Sequence, residues 1–393
     1  MQMMKNFFRG DGGPVTGDDF FGRKSLMQML ERLTLSGASV ILIGERRIGK
    51  TSVLHEFRRR YLSANDKTSQ EITRPVLINT YGFIARSEDK QWLAKEISRE
   101  LITWSEQQPS KVSQIIRKSL KPESDHIDLI RCLRRIREDD LQIILLFDEV
   151  DSALVDGPPE TAGLIRAIAT EGHLTILATS YLHPAQLEVE SMFGSPWFNF
   201  FHFHYLSLFN DEEALELLTV LSEKSGRRFS QKECLFLQDV FGNFPYYLQL
   251  AGWRVFENAE YLTCPDEQRE KVLMLSVQDI SDRLRYVWPH SIQYLPSEIR
   301  DSLLEIAHHR RAPNKQHLSI LVERGLVIEK DGKYRVYSRA FEEYLKQLPE
   351  KSVLERAKES KALETLASLG KTALDTALKK AIEVAAEKYL GGP

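Results

Sequence analysis

The stretch Gly44-Glu45-Arg46-Arg47-Ile48-Gly49-Lys50-Thr51 decides the fold of this 393-residue chain. It matches the phosphate-binding pattern G-x-x-x-x-G-K-S/T at every fixed position. The mainly apolar residues 38–43 before it predict a buried strand, and residues 52–57 after it predict the start of a helix. Between a strand and a helix, backbone N–H groups and the positive end of the helix dipole converge, which predicts a site for a phosphate group.

The fixed positions of this loop have distinct expected roles. Gly44 and Gly49 allow the backbone to curve around an anion without a clashing Cβ atom. Lys50 is long enough to reach the β and γ phosphates of a nucleotide, and the Thr51 hydroxyl is a ligand for Mg²⁺. A chance match in a glycine-containing turn is the alternative, and the flanking strand and helix argue against it.

A second signal is an apolar run, residues 143–147, that ends in Asp148-Glu149-Val150-Asp151. Such a run predicts a buried parallel strand with carboxylates at its carboxyl end, where open α/β sheets bind their ligands. Asp148 is expected to hold Mg²⁺, directly or through a water molecule, and Glu149 to polarise the attacking water. Asp151 is interpreted as a capping or salt-bridge residue.

Two further segments leave their roles open. Residues 174–180 predict a buried strand whose terminal hydroxyls, Thr179 and Ser180, either lie near the γ-phosphate or cap the next segment. Phe21-Gly22-Arg23 upstream of the loop suits either contact with an adenine ring or an ordinary helix-entry turn. The alternation of strands and helices through this half predicts a doubly wound parallel sheet.

Composition limits the remaining classes of protein. The apolar share of 42% and the charged share of 28% are typical of a globular chain with several domains. The net charge of -3 gives no global reason to expect nucleic acid or an anionic membrane as a partner. The three cysteines form no C-x-x-C pair, which indicates reduced thiols in a cytoplasmic protein. No apolar run is long enough to span a bilayer.

We expect five regions along the chain. They are an N-terminal arm (1–20), an α/β core (21–208), a helical lid (209–290), a winged helix (291–348) and a helical tail (349–393). Pro245 suits the first turn of a helix in the helical lid. This lid region either closes over a bound nucleotide or serves as a spacer that does not touch it.

Aromatic residues are concentrated at the end of the core. With no Lys or Arg among them, they favour core or interface packing over the stacking of bases. The residues are Phe193, Trp197, Phe198, Phe200, Phe201, Phe203, Tyr205 and Phe209.

Helices at 297–308 and 316–324, followed by a hairpin at 327–337, are typical of a winged helix. Its basic residues are Arg310, Arg311, Lys315, Lys333 and Arg335, and its acids are Glu323, Glu329 and Asp331. Because the net basicity is slight, packing against protein is favoured over binding to DNA. The amphipathic tail carries charges of both signs, which favours an oligomerising or partner-binding helix, or one that packs on its own winged helix.

Together these motifs resemble the AAA+/STAND class of P-loop ATPases. They resemble most the prokaryotic ATPases that have a G-x-R-R-x-G-K-T loop and are related to origin-recognition replication initiators. The resemblance rests on Phe21-Gly22-Arg23, the loop, Asp148-Glu149, Thr179-Ser180 and the Gly242…Pro245 helix start, and it covers residues 8–348.

The resemblance implies ATP or ADP and Mg²⁺ as cofactors. Lys50, Asp148 and Glu149 are then catalytic, and Thr51 and Asp148 bind the metal. The implied nucleotide-binding residues are Phe21, Gly22, Gly44, Glu45, Arg46, Arg47, Ile48, Gly49, Lys50, Thr51, Ser52, Thr179 and Pro245. An arginine finger stays unassigned, with Arg166 as a candidate.

Three hypotheses about function follow. The first is a slow ATPase that acts as a switch, couples its nucleotide state to lid closure, oligomerisation or partner binding, and serves in bacterial defence or regulation. The second is an initiator or loader-type ATPase that holds DNA through the winged helix. The third is a scaffold that binds nucleotide without turnover. The expected partners are the nucleotide, a second copy or another protein, and DNA in the second case.

Overall fold

The computed structural model describes residues 5–65, 73–78, 89–107, 110–138, 142–155, 157–158, 160–171, 174–183, 198–278, 280–284, 287–309, 314–330, 332–348 and 370–391. The chain forms two compact units. The sheet unit comprises Pro14–Gly44 and Lys50–Tyr205, and the helical unit comprises Met1–Gly13, Glu45–Gly49 and Leu206–Pro393. The middle of the phosphate loop, Glu45–Gly49, thus belongs to the helical unit. The strand before it and the helix after it belong to the sheet unit.

The sheet unit alternates helices and strands as the sequence predicts. After a 3₁₀ turn at Gly17–Asp19, its elements are α1 (Lys24–Leu35), β1 (Ser39–Ile43), α2 (Lys50–Asn65), β2 (Thr73–Ile78), α3 (Trp92–Gln107), α4 (Lys111–Ser119), α5 (His126–Glu138), β3 (Gln142–Phe147), α6 (Val150–Val155), α7 (Glu160–Thr170), β4 (Thr175–Ser180) and β5 (Phe201–Tyr205).

Five described strands form one parallel sheet in the order β2-β3-β4-β1-β5. The strand before the phosphate loop, β1, pairs with β4 so that Leu42 lies opposite Thr179. Strand β3 pairs with β4 so that Phe147 lies opposite Ala178. The carboxyl ends of β1, β3 and β4 therefore lie side by side, and the predicted α/β class with a parallel P-loop sheet is confirmed.

Burial explains why the central strands carry apolar residues along their middle. Every residue of β1 and β4 is buried, since helices cover both faces of a parallel sheet. Alternate strand residues such as Ile41, Leu145 and Ile176 pack in one core cluster with apolar residues of α3, α5 and α7.

Two elements of the sheet unit are not predicted by the sequence analysis. Strand β5 lies within the aromatic segment that we expect to pack in a core or interface. It is an edge strand in which Phe201 is buried while His202 and Phe203 are exposed. Helix α4 is the second such element, and Ser110 caps it by accepting a hydrogen bond from the Ser113 N–H. Phe193 and Trp197 lie outside the described residues.

The helical unit is built from short helices and one hairpin. Its elements are α8 (Asp211–Lys224), α9 (Gln231–Phe241), α10 (Pro245–Glu257), α11 (Ala259–Thr263), α12 (Asp266–Gln278), α13 (Ser281–Leu284), α14 (Trp288–Gln293), α15 (Ser297–His309), α16 (Lys315–Glu323), β6 (Val327–Lys330), β7 (Lys333–Val336), α17 (Arg339–Leu345) and α18 (Gly370–Tyr389). Helix α8 begins with a capping box, formed by Asn210 and Glu213.

Helices α15 and α16 and the antiparallel pair β6–β7 stand where a winged helix is predicted. The interpretation as a winged helix, and the division of residues 209–393 into lid, winged helix and tail, stay predictions. Arg310, Arg311 and Asp331 lie outside the described residues.

The structure divides the expected N-terminal arm between the two units. Phe8 is buried in the helical unit, where its ring stacks on Phe256 at 5.6 Å, and the Arg9 N–H donates to Gln249 of α10. In the sheet unit, the Gly17 N–H donates to the Glu56 carboxylate of α2. The expected arm (1–20) is therefore shared between the two units.

The tail helix α18 packs on its own chain. Its apolar face is buried, and it lies against α17 and α9. Lys380 pairs with Glu343 of α17 at 2.6 Å, and Lys388 approaches Asp239 of α9 at 3.5 Å. Among the described residues, no helix is both long enough and apolar enough to cross a bilayer.

Candidate functional site

The phosphate loop leaves the sheet through a continued strand contact and two left-handed residues. The Gly44 N–H donates to the Ser180 carbonyl at 3.2 Å, which extends the pairing of β1 with β4. Arg47 and Gly49 have φ values of 66° and 104°. A Cβ atom at Gly49 would meet nothing within 4 Å, so this position favours glycine for its backbone conformation rather than for space.

Lys50 and Thr51 begin α2 and point at different partners. Lys50 is 7% exposed; its Nζ donates to the Gly44 carbonyl at 2.7 Å and lies 5.9 Å from the centre of the Tyr181 ring. The Thr51 hydroxyl donates to Oδ2 of Asp148 at 2.8 Å. The first turn of α2 and the end of β3, which the sequence predicts to meet, therefore come together.

The hydroxyl of Thr179 orients the acidic end of β3. It donates to Oδ1 of Asp148 at 2.6 Å and accepts a hydrogen bond from the Glu149 N–H at 2.8 Å. Thr179 is fully buried, and its single hydroxyl proton is directed at Asp148. The neighbouring Ser180 hydroxyl donates to the Leu182 carbonyl. The structure thus makes Thr179 a partner of Asp148, while its contact with a γ-phosphate stays a prediction.

Glu149 holds an unusual backbone conformation. Its φ is 53°, in the left-handed region, which costs a residue other than glycine about 1 kcal/mol. Its hydrogen-bonded N–H stabilises this conformation, and its side chain is half-buried. Asp151 accepts a hydrogen bond at 2.8 Å from the N–H of Tyr181, the residue that follows β4. This contact is not a helix cap, and the expected capping or salt-bridge role of Asp151 stays a prediction.

The chemistry of Thr51 and Asp148 fits Mg²⁺. A hydroxyl oxygen and a carboxylate oxygen 2.8 Å apart are the oxygen donors that this hard cation prefers. The described residues contain no group of three or more His, Cys, Asp or Glu side chains placed so that they could hold a metal ion. A magnesium ion bound with a nucleotide does not require one, because phosphate and water oxygens supply the other ligands.

The middle of the phosphate loop is held by residues that the sequence analysis does not predict. Within the helical unit, Glu45 forms a buried ion pair with Arg324. Arg47 donates to the Gly12 carbonyl at 2.7 Å, and its guanidinium lies 5.2 Å from the centre of the Tyr246 ring. No local pattern marks these partners, because they are brought to the loop only by the tertiary fold.

The other predicted site residues are distributed around the loop. Arg46 is exposed and Ile48 is buried within the helical unit. Ser52 accepts a hydrogen bond from the Val15 N–H at 3.1 Å, so its hydroxyl ties the arm to α2. Pro245 is the first residue of α10, next to Tyr246.

The corner before α1 has the geometry of a helix-entry turn. Gly22 and Arg23 have φ values of 63° and 61°, Arg23 is the buried N-cap of α1, and Phe21 is half-buried. Contact of Phe21 and Gly22 with an adenine ring stays a prediction, as does a role for Arg166, which lies half-buried on α7.

Comparison with known proteins identifies solved structures that have a similar fold. No protein-family model matches the chain, and no curated protein matches it. Among solved structures, the Walker-type ATPase PABY2304 of Pyrococcus abyssi matches with a TM-score of 0.51 and 17% identity over 82% of this chain and 95% of that one. The Aeropyrum pernix ORC2 protein, in ADPNP–ADP complexes, matches with a TM-score of 0.47 and 15% identity over 94% and 98% of the two chains.

The Aeropyrum pernix ORC1 protein in complex with DNA matches with a TM-score of 0.45 and 13% identity over 94% of this chain and 97% of that one. The similarity to the Pyrococcus protein shows that the chain has the fold of a Walker-type ATPase. The resemblance inferred from the motifs is confirmed at the level of the fold. The similarities to the two Aeropyrum proteins, whose TM-scores lie below 0.5, support no further conclusion about this chain.

Proposed function

We propose that the chain is an ATP-binding protein that hydrolyses ATP slowly and acts as a nucleotide-dependent switch. The observation that carries this proposal is the contact of Thr51 with Asp148 at 2.8 Å. It joins the last residue of a complete phosphate-binding motif to the acidic end of β3, a parallel strand of the same sheet. A chance glycine turn has no reason to acquire that partner, whereas a magnesium nucleotide needs both.

Each residue of the site has a separate role in nucleotide binding or hydrolysis. The loop N–H groups, the dipole of α2 and the Lys50 ammonium bind the phosphates. Thr51 and Asp148 would hold Mg²⁺, which neutralises charge that develops on the transferred phosphoryl group. Glu149 orients and deprotonates the attacking water. Thr179 keeps the Asp148 carboxylate facing Thr51 through its 2.6 Å hydrogen bond.

The switch part of the proposal rests on the loop itself. Glu45–Gly49 belongs to the helical unit, where Glu45 is bound by Arg324 and Arg47 by Gly12. A ligand that contacts the loop therefore acts on residues that helical-unit side chains also hold. We propose that nucleotide state controls lid closure, oligomerisation or partner binding in this way, in bacterial defence or regulation.

The test of the nucleotide site is Lys50→Ala, with the exposed Lys24→Ala on α1 as a matched control. Calorimetric titration with ATP and magnesium is expected to show a dissociation constant at least tenfold higher for Lys50→Ala, a change of about 1.4 kcal/mol or more. The control is expected to bind as the wild type does. Equal ATP affinity in all three proteins refutes the site.

Turnover and switching need separate measurements. Phosphate release by the wild type and its loss in Glu149→Gln would support hydrolysis, and no release by the wild type would favour a nucleotide-bound scaffold. A hydrodynamic radius that is the same with ATP, with ADP and without nucleotide would refute the switch.

A DNA-bound ATPase of the initiator or loader type is the second candidate. It is favoured by helices α15 and α16 followed by the β6–β7 hairpin, with Lys315, Lys330 and Lys333 exposed. Exposed acids, Glu323 and Glu329, oppose it. Anisotropy titration with duplex DNA decides: affinity that falls steeply with salt would support this function, and no binding at low salt excludes it.

A further inference from the structure

A buried ion pair connects the phosphate loop to the end of helix α16 inside the helical unit. The Arg324 Nε and Nη2 atoms lie 2.9 Å and 2.6 Å from the same Glu45 carboxylate oxygen, Oε1. The side chain of Glu45 is 2% exposed and that of Arg324 is 4% exposed. Charges buried to this degree persist only when they compensate each other, so each side chain fixes the position of the other.

The backbone of Arg324 is fixed at the end of helix α16. Arg324 is the C-cap of α16, and its N–H donates to the Ile320 carbonyl at 3.0 Å. Gly325 follows with a φ of 72°, the left-handed conformation that commonly ends a helix. The guanidinium therefore projects from a defined helix end rather than from a loop.

The surroundings of Glu45 make the guanidinium hard to replace. Burial raises the pKa of Tyr247 and of Tyr337, and the negative charge of Glu45 raises both pKa values further. The two phenols are thus neutral, and their rings lie nearly parallel with centres 6.4 Å apart. Loss of Arg324 would therefore remove a positive charge from beside a buried carboxylate, which is strongly unfavourable.

The next fixed point of the loop is Arg47, bound to the Gly12 carbonyl and packed on Tyr246. There is no space for a side chain at Gly12, where a Cβ atom would lie 2.7 Å from the Arg47 guanidinium and 2.7 Å from the Tyr246 ring. Two positions of the loop are therefore held by protein on either side of the exposed Arg46. A loop that is held in this way loses little entropy when it binds a phosphate.

We propose that Arg324 is a positioning residue for nucleotide binding: by holding Glu45, it sets the conformation in which the phosphate loop presents its N–H groups and Lys50. This inference rests on the proposed nucleotide-binding function. It assigns to the C-terminal part of the chain a role in binding the phosphates that requires no contact between Arg324 and the nucleotide.

The test removes both charges at once, so that neither is left buried alone. The variant is Glu45→Gln/Arg324→Met, and the matched control is Asp239→Asn/Arg339→Met, which removes another partly buried ion pair of the helical unit. Thermal unfolding and calorimetric titration with magnesium ATP are measured for both. We expect the loop variant to fold and to bind ATP about tenfold more weakly than the wild type. The control is expected to bind ATP as the wild type does.

A folded loop variant with wild-type ATP affinity overturns the role of Arg324 and leaves the proposed function intact. A wild type that binds no ATP overturns both. An equal loss of affinity in the control shows a general effect of stability and also overturns the positioning role.

If the double variant does not fold, Arg324→Lys decides, with Arg339→Lys as its control. Lysine keeps the charge but cannot place two N–H donors on one oxygen. Weaker ATP binding by Arg324→Lys alone supports the proposal, and unchanged binding overturns it.

Discussion

Replacement of Thr179 by valine tests how the acidic end of β3 is held. Valine has nearly the shape of threonine, so the change removes the hydroxyl without opening a cavity. It deletes the 2.6 Å hydrogen bond to the Asp148 carboxylate and the 2.8 Å bond from the Glu149 N–H. A hydrogen bond to a charged group contributes about 1.5–3 kcal/mol, and a stranded N–H adds to the loss, so we expect a destabilisation of about 2–4 kcal/mol.

The functional effect of this change is expected at the metal. A side chain that orients a metal ligand typically changes metal affinity or activity by about 10–100-fold when it is removed. We therefore expect Thr179→Val to need at least about tenfold more magnesium for half-maximal ATP hydrolysis. Thr179→Ser keeps the hydroxyl and is expected to retain the magnesium requirement of the wild type, with only the modest loss of stability that follows from one missing methyl group.

The assay is phosphate release at saturating ATP as a function of magnesium concentration, with thermal unfolding measured in parallel. A Thr179→Val variant that keeps the magnesium requirement of the wild type would refute the role of this hydroxyl in orienting Asp148. It is equally refuted if Thr179→Ser is as impaired as Thr179→Val, because the hydroxyl then has no special role.

Three further predictions follow from the described contacts. Burial by itself would raise the pKa of Glu56, but hydrogen bonds from Arg59, the Gly17 N–H and Arg60 lower it to about 2 from 4.5. Its contribution to stability is thus complete above pH 4.5 and is lost as the pH falls towards 2. The arginines are partly exposed, so solvent screening reduces the effect. In urea unfolding we expect Glu56→Gln to lower the free energy of unfolding by about 2 kcal/mol at pH 7 and by almost nothing near pH 2. Equal decreases at both pH values would contradict this prediction. Because Glu149 has a φ of 53°, Glu149→Gly should be about 1 kcal/mol more stable than Glu149→Ala by thermal unfolding, although both lose hydrolysis; a less stable glycine variant would show that the backbone is not strained. Burial raises the pKa of Cys132 to about 12 and of Cys234 to about 11, so neither thiol should react with a disulfide reagent at pH 8 until urea unfolds the chain. Because Cys264 is also a free thiol, the label is located by peptide mapping, and fast labelling of Cys132 or Cys234 in the native protein would disprove their burial.

Local patterns are sufficient for the central part of the fold. The loop from Gly44 to Thr51 and the apolar runs that become β1, β3 and β4 each lie within a few consecutive residues. Their conformations depend on short-range geometry, so the sequence predicts them. The edge strand β5 is missed because its aromatic and histidine residues suit packing as well as pairing, and only its neighbour β1 makes it a strand.

The sequence alone determined that a phosphate loop, an acid-ended strand and a hydroxyl-ended strand belong to one parallel sheet. It did so because hydrophobic periodicity and a motif of fixed spacing are local properties. Only the tertiary structure decided that the Thr179 hydroxyl is directed at Asp148, and that Glu45 binds Arg324, 279 positions away along the chain. Pairings over such distances depend on which elements pack together and how deeply they are buried, and no local spacing encodes that choice.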